Sequence, residues 1–328
     1  MSRYLDLLEA SITRRGGRLC VGIDPDPAHL PAAFSQGEEG LRRWCELLIS
    51  ATADHAAAYK VNLAFFEAYG SGGMRVAESI RTLLPSDTPL IIDVKRGDIG
   101  STVAAQARAL YDVLGADAVT ANPYLGIGAL EPLLVREDRF VYLLCRTSNP
   151  EAPEFQELRV AADGSAPEEA LYLRVARLAA ARPEARAGRI GLVAGATAAT
   201  AMARLREVAP NAPLLVPGIG AQGGDLAAVL AHGETTGTPS ARVGGSLLVN
   251  VGRGISGSET DGRYTHPIGR PFGRVSVRST ERAEHRTWRT HPHSRRDPCG
   301  LRPRQTSGDW RRGGSIIPRV PQGDLRGG

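Results

Sequence analysis

The sequence predicts an α/β protein of the (β/α)8 (TIM) barrel type, on three observations. Eight short apolar runs alternate with segments of helical periodicity, the pattern of a parallel sheet buried on both faces. A count of eight favours closure of that sheet into a barrel. Polar residues, among them Asp24, Lys60, Asp93, Lys95, Asn122, Thr147 and Gly218 with its backbone, stand at the C-terminal ends of these runs. A barrel collects its functional groups at that end.

Taken in order, Tyr4, Leu7, Leu8 and Ile12 have helical spacing, so an amphipathic helix over 2–15 precedes Gly16-Gly17. The first strand, 18–24, ends in Asp24-Pro25. A proline-rich loop and a helix over 41–55 lead to strand 57–64, which carries Lys60. The alternation continues with helix 74–84, strand 89–95, helix 102–114, strand 116–122, helix 127–135 and strand 140–147. Helix 167–181, strand 190–196, helix 199–208, strand 213–218, helix 225–231 and strand 246–251 complete it.

The length of 328 residues accommodates one large barrel, and the apolar fraction of 42% suffices for its core. Cys20, Cys45, Cys145 and Cys299 show neither zinc-site pairing nor a disulfide-dense pattern, which suits a reducing cytoplasm. No apolar stretch approaches the roughly 20 residues of a membrane span, and no secretory leader is evident. The net charge of +5 is unevenly placed: residues 257–328 hold 15 Arg against 7 Asp and Glu, so the basic character belongs to that tail.

The stretch from Ile91 to Thr102, IIDVKRGDIGST, organises the rest. On a strand Asp93 and Lys95 share a face, about 7 Å apart at Cα. Gly97 breaks the strand, and Asp98 follows at the turn before the next helix. Two carboxylates flanking one amine favour its protonated form. An ordinary strand-end ion pair is the bland alternative, but composition opposes it. Among 40 basic residues only Lys60 and Lys95 are lysines, both at strand ends. A lysine donates a proton as an arginine does not.

The seventh strand runs into VPGIGAQGGD (216–225) and the eighth into VNVGRGISG (249–257). Barrels often hold a phosphate between these two loops, where glycines such as Gly220 let backbone N–H groups reach the oxygens. Arg253 supplies a charged fork and Gln222 a neutral donor. Glycine-rich closure of short loops is the alternative.

These segments, with VGIDP (21–25), YKVNLAFFEAYG (59–70), DVKRGDIGST (93–102), DAVTANPYLG (117–126), LCRTSNP (144–150), GLVAGAT (191–197) and VGRGI (251–255), resemble the orotidine 5′-phosphate decarboxylases, in particular their longer bacterial form. They occur in the family's order through about residue 256. The Asp-x-Lys-x-x-Asp core alone is shared with a wider group of phosphosugar barrels. The resemblance implies decarboxylation of a small nucleotide to UMP, with no metal or organic cofactor, in a cytoplasmic homodimer. It implies a catalytic array of Asp93, Lys95, Asp98 and Lys60, with Asp98 crossing into the partner's site and Thr102 near that contact. Lys60 and Asp24 would hold the ribose, and Ser148 the pyrimidine, with Thr147 and Asn149 as sharers of the base contacts. Gln222 and Arg253 match phosphate-gripping positions. Two other readings are a metal-dependent phosphosugar decarboxylase or aldolase, and a nucleic-acid binder acting through the tail. Lys60 stands where a metal would want an acid, and the second reading leaves the strand ends idle, so neither a metal nor a nucleic acid is expected as a partner.

After Gly257 the pattern stops. The residues that follow the eighth strand have no helical periodicity and keep meeting Pro and Gly. Four of seven histidines, and Trp288 and Trp310, lie beyond 257. The expected organisation is a barrel over 1–256, without a regular eighth helix, and a disordered basic tail over 257–328. A reading-frame shift near codon 257 explains a helix that is replaced, whereas a genuine extension binding nucleic-acid phosphates would follow the helix.

Overall fold

Alternation along the strands builds the fold. In the computed structural model, which describes residues 3–34, 37–220, 222–235 and 247–256, eight strands form a closed, all-parallel barrel. The elements are, in chain order, α1 (Arg3–Arg15), β1 (Leu19–Ile23), α2 (Gly37–Thr52), β2 (Ala58–Asn62), α3 (Leu63–Glu67), α4 (Gly70–Leu83), β3 (Leu90–Arg96), α5 (Gly100–Ala107), β4 (Ala118–Ala121), α6 (Glu131–Leu134) and β5 (Phe140–Arg146). Then follow α7 (Pro153–Gln156), β6 (Arg159–Val160), β7 (Glu169–Ala170), α8 (Leu171–Ala181), α9 (Pro183–Arg186), β8 (Ile190–Ala194), α10 (Ala199–Val208), β9 (Leu214–Val216), α11 (Leu226–Gly233), β10 (Leu247–Val251) and α12 (Arg253–Ser256). Around the barrel the order is β1-β10-β9-β8-β5-β4-β3-β2, so each barrel strand lies beside its neighbour in sequence.

Odd and even positions sort into two cores. Val21, Val61, Ile92, Val119 and Leu143 pack in the larger cluster with helix residues such as Trp44, Val76 and Leu110. Cys20, Ala58, Ile91, Ala118 and Leu248 pack in the smaller one with Tyr4, Leu5, Leu8 and Ile12 of α1. Thus α1 closes the end of the barrel where the strands begin. Its Tyr4 ring lies 4.8 Å from that of Phe140, and its hydroxyl 3.0 Å from that of Tyr142. Two residues further along each strand the same inward face turns polar: Lys60, Asp93, Thr120 and Asn250 follow Ala58, Ile91, Ala118 and Leu248, and all four are buried. The period of two therefore places an apolar plug below and a polar layer above.

Four expectations need correction. The helix expected over 102–114 is α5 from Gly100 to Ala107 followed by a π-helical turn, Arg108–Val113. Over 127–135 there is no single helix: 3-10 turns at Pro123–Leu125 and Ile127–Leu130 precede α6, because Gly126 turns at φ 97° and Pro132 lacks a donor. The helix expected from 167 begins at Leu171, since Glu169–Ala170 pairs antiparallel with Arg159–Val160. Asn122, expected in the pocket, instead caps the turn after β4 by accepting from the Tyr124 amide at 3.0 Å. Among the described residues, no helix is long and apolar enough to cross a membrane. Ser246, the stretch expected to lack a regular eighth helix and the expected basic tail over 257–328, with Cys299, lie outside the described residues.

Candidate active site

At the strand ends a cavity of about 670 Å³ is lined by Asp24, Lys60, Asp93, Lys95, Thr147, Ser148, Asn149, Gly218, Gln222 and Arg253, ten of the fourteen residues the sequence singled out. Asp98, Thr102 and Gly220 are not among its lining residues. A second cavity of about 240 Å³, between α8, α9 and the 209–213 turn, is half lined by alanines and shares no residue with the charged strand ends.

The charges alternate along one wall. The Lys60 ammonium donates to Asp93 Oδ2 at 2.8 Å and stands 4.0 Å from Asp24 Oδ1. The Lys95 ammonium donates to Asp93 Oδ1 at 2.7 Å. Burial opposes charge on Lys60 and Asp93, but attraction outweighs it. Asp93 and Asp24 raise Lys60 above its ordinary value, while Lys60 and Lys95 hold Asp93 well below the usual carboxylate range. Asp24 goes the other way: burial raises its carboxyl, and Lys60 only partly offsets this. Its Oδ1 is buried with no hydrogen-bond partner among the described residues. The side chain as a whole is about one-fifth exposed and lines the cavity, so the carboxylate can accept a hydrogen bond from a ligand hydroxyl.

Lys95 reaches Asp93 by a route other than the one expected. A regular strand would place both side chains on one face, but Lys95 adopts φ 49° and the register with β4 shifts between Ile92 and Arg96. A left-handed lysine costs about 1–3 kcal/mol and persists only where its surroundings impose it. Asp98, expected as the second carboxylate beside Lys95, accepts from the Ile99 amide at 2.8 Å instead. Thr102 is exposed on the first turn of α5.

On the other side Ser148 donates to Gln222 Oε1 at 2.6 Å. This contact needs Gly218, at φ 101°, where a Cβ would come within 2.9 Å of Gln222 Oε1. Gly252 matters similarly, because a Cβ there would stand 2.4 Å from Asp24 Oδ2. Thr147 is engaged within the protein, with one lone pair left over: its hydroxyl donates to Asn149 Oδ1 and accepts from Gln156 Nε2, each at 2.7 Å, and its amide donates to Gln156 Oε1. Sequence reading misses Gln156, Asn250 and Thr120, all of which line the cavity. Thr120 and Asn250 do carry a signal, as polar residues inside apolar runs. Gln156 lies on a four-residue helix that no periodicity could reveal.

A cavity of this size with few converging polar groups suits a small polar ligand. Its wall offers a proton-bearing amine held between acids, and the same cavity holds an arginine and glutamine suited to an anion. The chain is also similar to known proteins. Residues 17–265 match the model of the orotidine 5′-phosphate decarboxylase / HUMPS family. A protein named orotidine 5′-phosphate decarboxylase from Roseiflexus castenholzii is 44% identical over 252 residues, 77% of this chain and 88% of that one. Its counterpart from Thermomicrobium roseum is 43% identical over 261 residues, 80% and 89% of the two chains. The structure of Leishmania donovani OMP decarboxylase superposes with a TM-score of 0.67 at 37% identity, over 80% of this chain and 93% of that one.

Proposed function

Because the chain belongs to the orotidine 5′-phosphate decarboxylase family, and is on that ground a carboxy-lyase, we propose that it converts orotidine 5′-phosphate to UMP, the last step of de novo pyrimidine nucleotide synthesis, as a cytoplasmic homodimer. The observation that carries this reading is the row Asp24, Lys60, Asp93, Lys95 on the wall of a cavity that also contains Gln222 and Arg253.

In the reaction the bond between C6 and its carboxyl carbon breaks, CO2 departs, and the electron pair stays on a ring carbon with no adjacent sink. A fixed cation must stabilise it. Lys95 meets this need. Its side chain is about half exposed, and among the described residues its ammonium donates to Asp93 alone, leaving two of its three protons for a ligand. It stabilises the carbanion, delivers a proton to C6 and is reprotonated from water. Asp93, locked as a carboxylate by three donors, stands against the substrate's own carboxylate, and that repulsion falls as CO2 leaves. Asp24 and Lys60 hold the ribose hydroxyls. Ser148 with Gln222 meets the pyrimidine, and Thr147, bonded to Asn149 and Gln156, orients that loop. Gln222, Arg253 and the Gly220 backbone take the phosphate, whose binding energy orders the site around the reacting ring.

Asp98 and Thr102 belong to the partner's site in this proposal. The loops after β3 and β4 meet where Gly97 packs on the Asn122 carbonyl, and they expose Ile99, Tyr124 and Leu125 beside Asp98. Exposed large apolar groups at one end of a barrel suit a covering subunit. The test is conversion of orotidine 5′-phosphate followed by the loss of its ultraviolet absorbance, with UMP identified as product. Mixing inactive Lys95→Ala and Asp98→Ala subunits should restore up to about a quarter of parent activity, since statistically half the dimers are mixed and each has one intact site. A folded parent that leaves the nucleotide unchanged rejects the activity, and a mixture that stays inactive rejects the crossing.

A further inference from the structure

The geometry assigns Thr120 as the positioning residue that builds the bend carrying Lys95 and aims Asp93 at it. The assignment rests on the decarboxylase reading above for its kinetic consequence, though not for its geometry.

Along β3 and β4 the register pairs Ile91 with Ala118 and Ile92 with Val119, then resumes at Arg96 with Ala121. Three residues of β3, Asp93 to Lys95, therefore stand opposite the single residue Thr120. A surplus of this kind deprives amides of their ladder partners. Thr120 replaces them with its side chain: its hydroxyl oxygen accepts from the Val94 amide and from the Lys95 amide, each at 3.0 Å. The same hydroxyl donates its proton to Asp93 Oδ1 at 2.7 Å. A hydroxyl has one proton and two lone pairs, so every position it offers is filled. Both acceptor roles are spent on backbone amides, so the proton can only go to the carboxylate.

This one buried atom thus has two roles. It holds the backbone where Lys95 adopts φ 49°, and it fixes the carboxylate oxygen that also receives the Lys95 ammonium at 2.7 Å. Valine has the shape of threonine but neither lone pairs nor proton, whereas serine keeps the hydroxyl and loses a methyl group. The hydroxyl, and not the packing of β4, is what the bend requires.

The experiment compares Thr120→Val and Thr120→Ser with the parent as full-length chains. It measures kcat and KM on orotidine 5′-phosphate and amide hydrogen exchange in the peptide containing Val94 and Lys95. Thr120→Val is expected to lose on the order of 10²-fold in kcat, the effect of misplacing a reacting group by about 1 Å, with KM changed far less, and to exchange both amides faster. Thr120→Ser is expected to stay close to the parent in kcat, KM and exchange. A valine variant with parent kcat and parent exchange overturns the assignment. So does a serine variant as impaired as valine, which would make the methyl group the cause. If the valine variant does not fold, serine decides by itself, since a loss on the order of 10²-fold in it has the same meaning. Absence of turnover in a folded parent rejects the decarboxylase reading alone, and the exchange comparison still decides whether Thr120 holds the bend.

Discussion

Replacing Asp93 with asparagine removes one charge from the site while keeping its shape, and its effect can be worked out from the contacts. Asp93 is the counter-charge of two ammonium groups. Lys95 is about half exposed, so water screens it once the carboxylate is gone. Lys60 has a side-chain exposure of 5% and is left facing Asp24 at 4.0 Å. Removing one partner of a buried pair costs about 3–5 kcal/mol. With Asp24 as partial replacement the lower end applies, about 3 kcal/mol. For a barrel of this size the urea slope lies near the upper end of about 1–3 kcal/mol/M, so the unfolding midpoint should fall by about 1 M. Asp93→Asn should also abolish turnover. In the double variant Lys60→Met/Asp93→Asn no uncompensated lysine is buried, and the loss should be smaller than the two single losses together. An Asp93→Asn midpoint equal to the parent's, or strictly additive losses in the double variant, would refute the reasoning.

Asp24→Asn should act oppositely, raising the melting temperature of the free protein by about 2–4 °C for a gain of about 1 kcal/mol, because burial disfavours the Asp24 charge. The sign follows from linkage: the raised carboxyl costs stability when ionised at neutral pH, and that cost is relieved as pH falls through its raised value. The advantage of Asp24→Asn should therefore shrink between about pH 7 and pH 4, as melting across that range will record. Asp93 and Lys60 give a broad plateau. The depressed carboxyl stabilises above its unfolded value of about 3.9 and loses that contribution as pH falls below, whereas the raised amine stabilises below about 10.4 and loses it as pH rises above. The stability difference between parent and the Lys60→Met/Asp93→Asn variant should consequently stay flat on the alkaline side, from about pH 7 to pH 9, in urea titrations, whereas loss of Lys60 raises the Asp24 carboxyl further and makes the difference pH-dependent below that. Arg253→Ala should raise KM by about 10- to 100-fold, the worth of a charge-assisted bond of about 1.5–3 kcal/mol, and an added phosphate analogue should lose its inhibition in parallel. Gly218→Ala should raise KM as well, since its Cβ would press on Gln222 at 2.9 Å and its φ of 101° disfavours alanine.

The strands are legible because each is an apolar run whose inward positions change from apolar to polar at one end. Ala58 to Lys60 and Ile91 to Asp93 show it in the sequence itself. The same rule points to the cavity, and ten of its expected residues line it. What periodicity cannot show is where a strand departs from its own geometry. Lys95 reaches Asp93 through a left-handed residue and a register shift, and nothing local in Asp-Val-Lys announces either. Thr120 shows in the sequence only as a polar residue inside an apolar run, and its role comes from the bend in the strand beside it. The helix expected over 127–135 fails for a local reason, as Pro132 lies inside it and splits it into a 3-10 turn and α6. The ribbon of Arg159–Val160 with Glu169–Ala170 is too short to alternate visibly. That α1 seals the barrel through Tyr4 depends on where its apolar stripe docks, which spacing alone does not say.

The central claim is that the Lys95 ammonium carries the charge and the proton of the reaction. Its most direct test is the rate of CO2 release from orotidine 5′-phosphate by the parent and by Lys95→Ala, with UMP binding measured on both. The account predicts rapid release by the parent and release reduced by several orders of magnitude in Lys95→Ala, while the variant still binds UMP. A Lys95→Ala protein that releases CO2 at the parent's rate would contradict it.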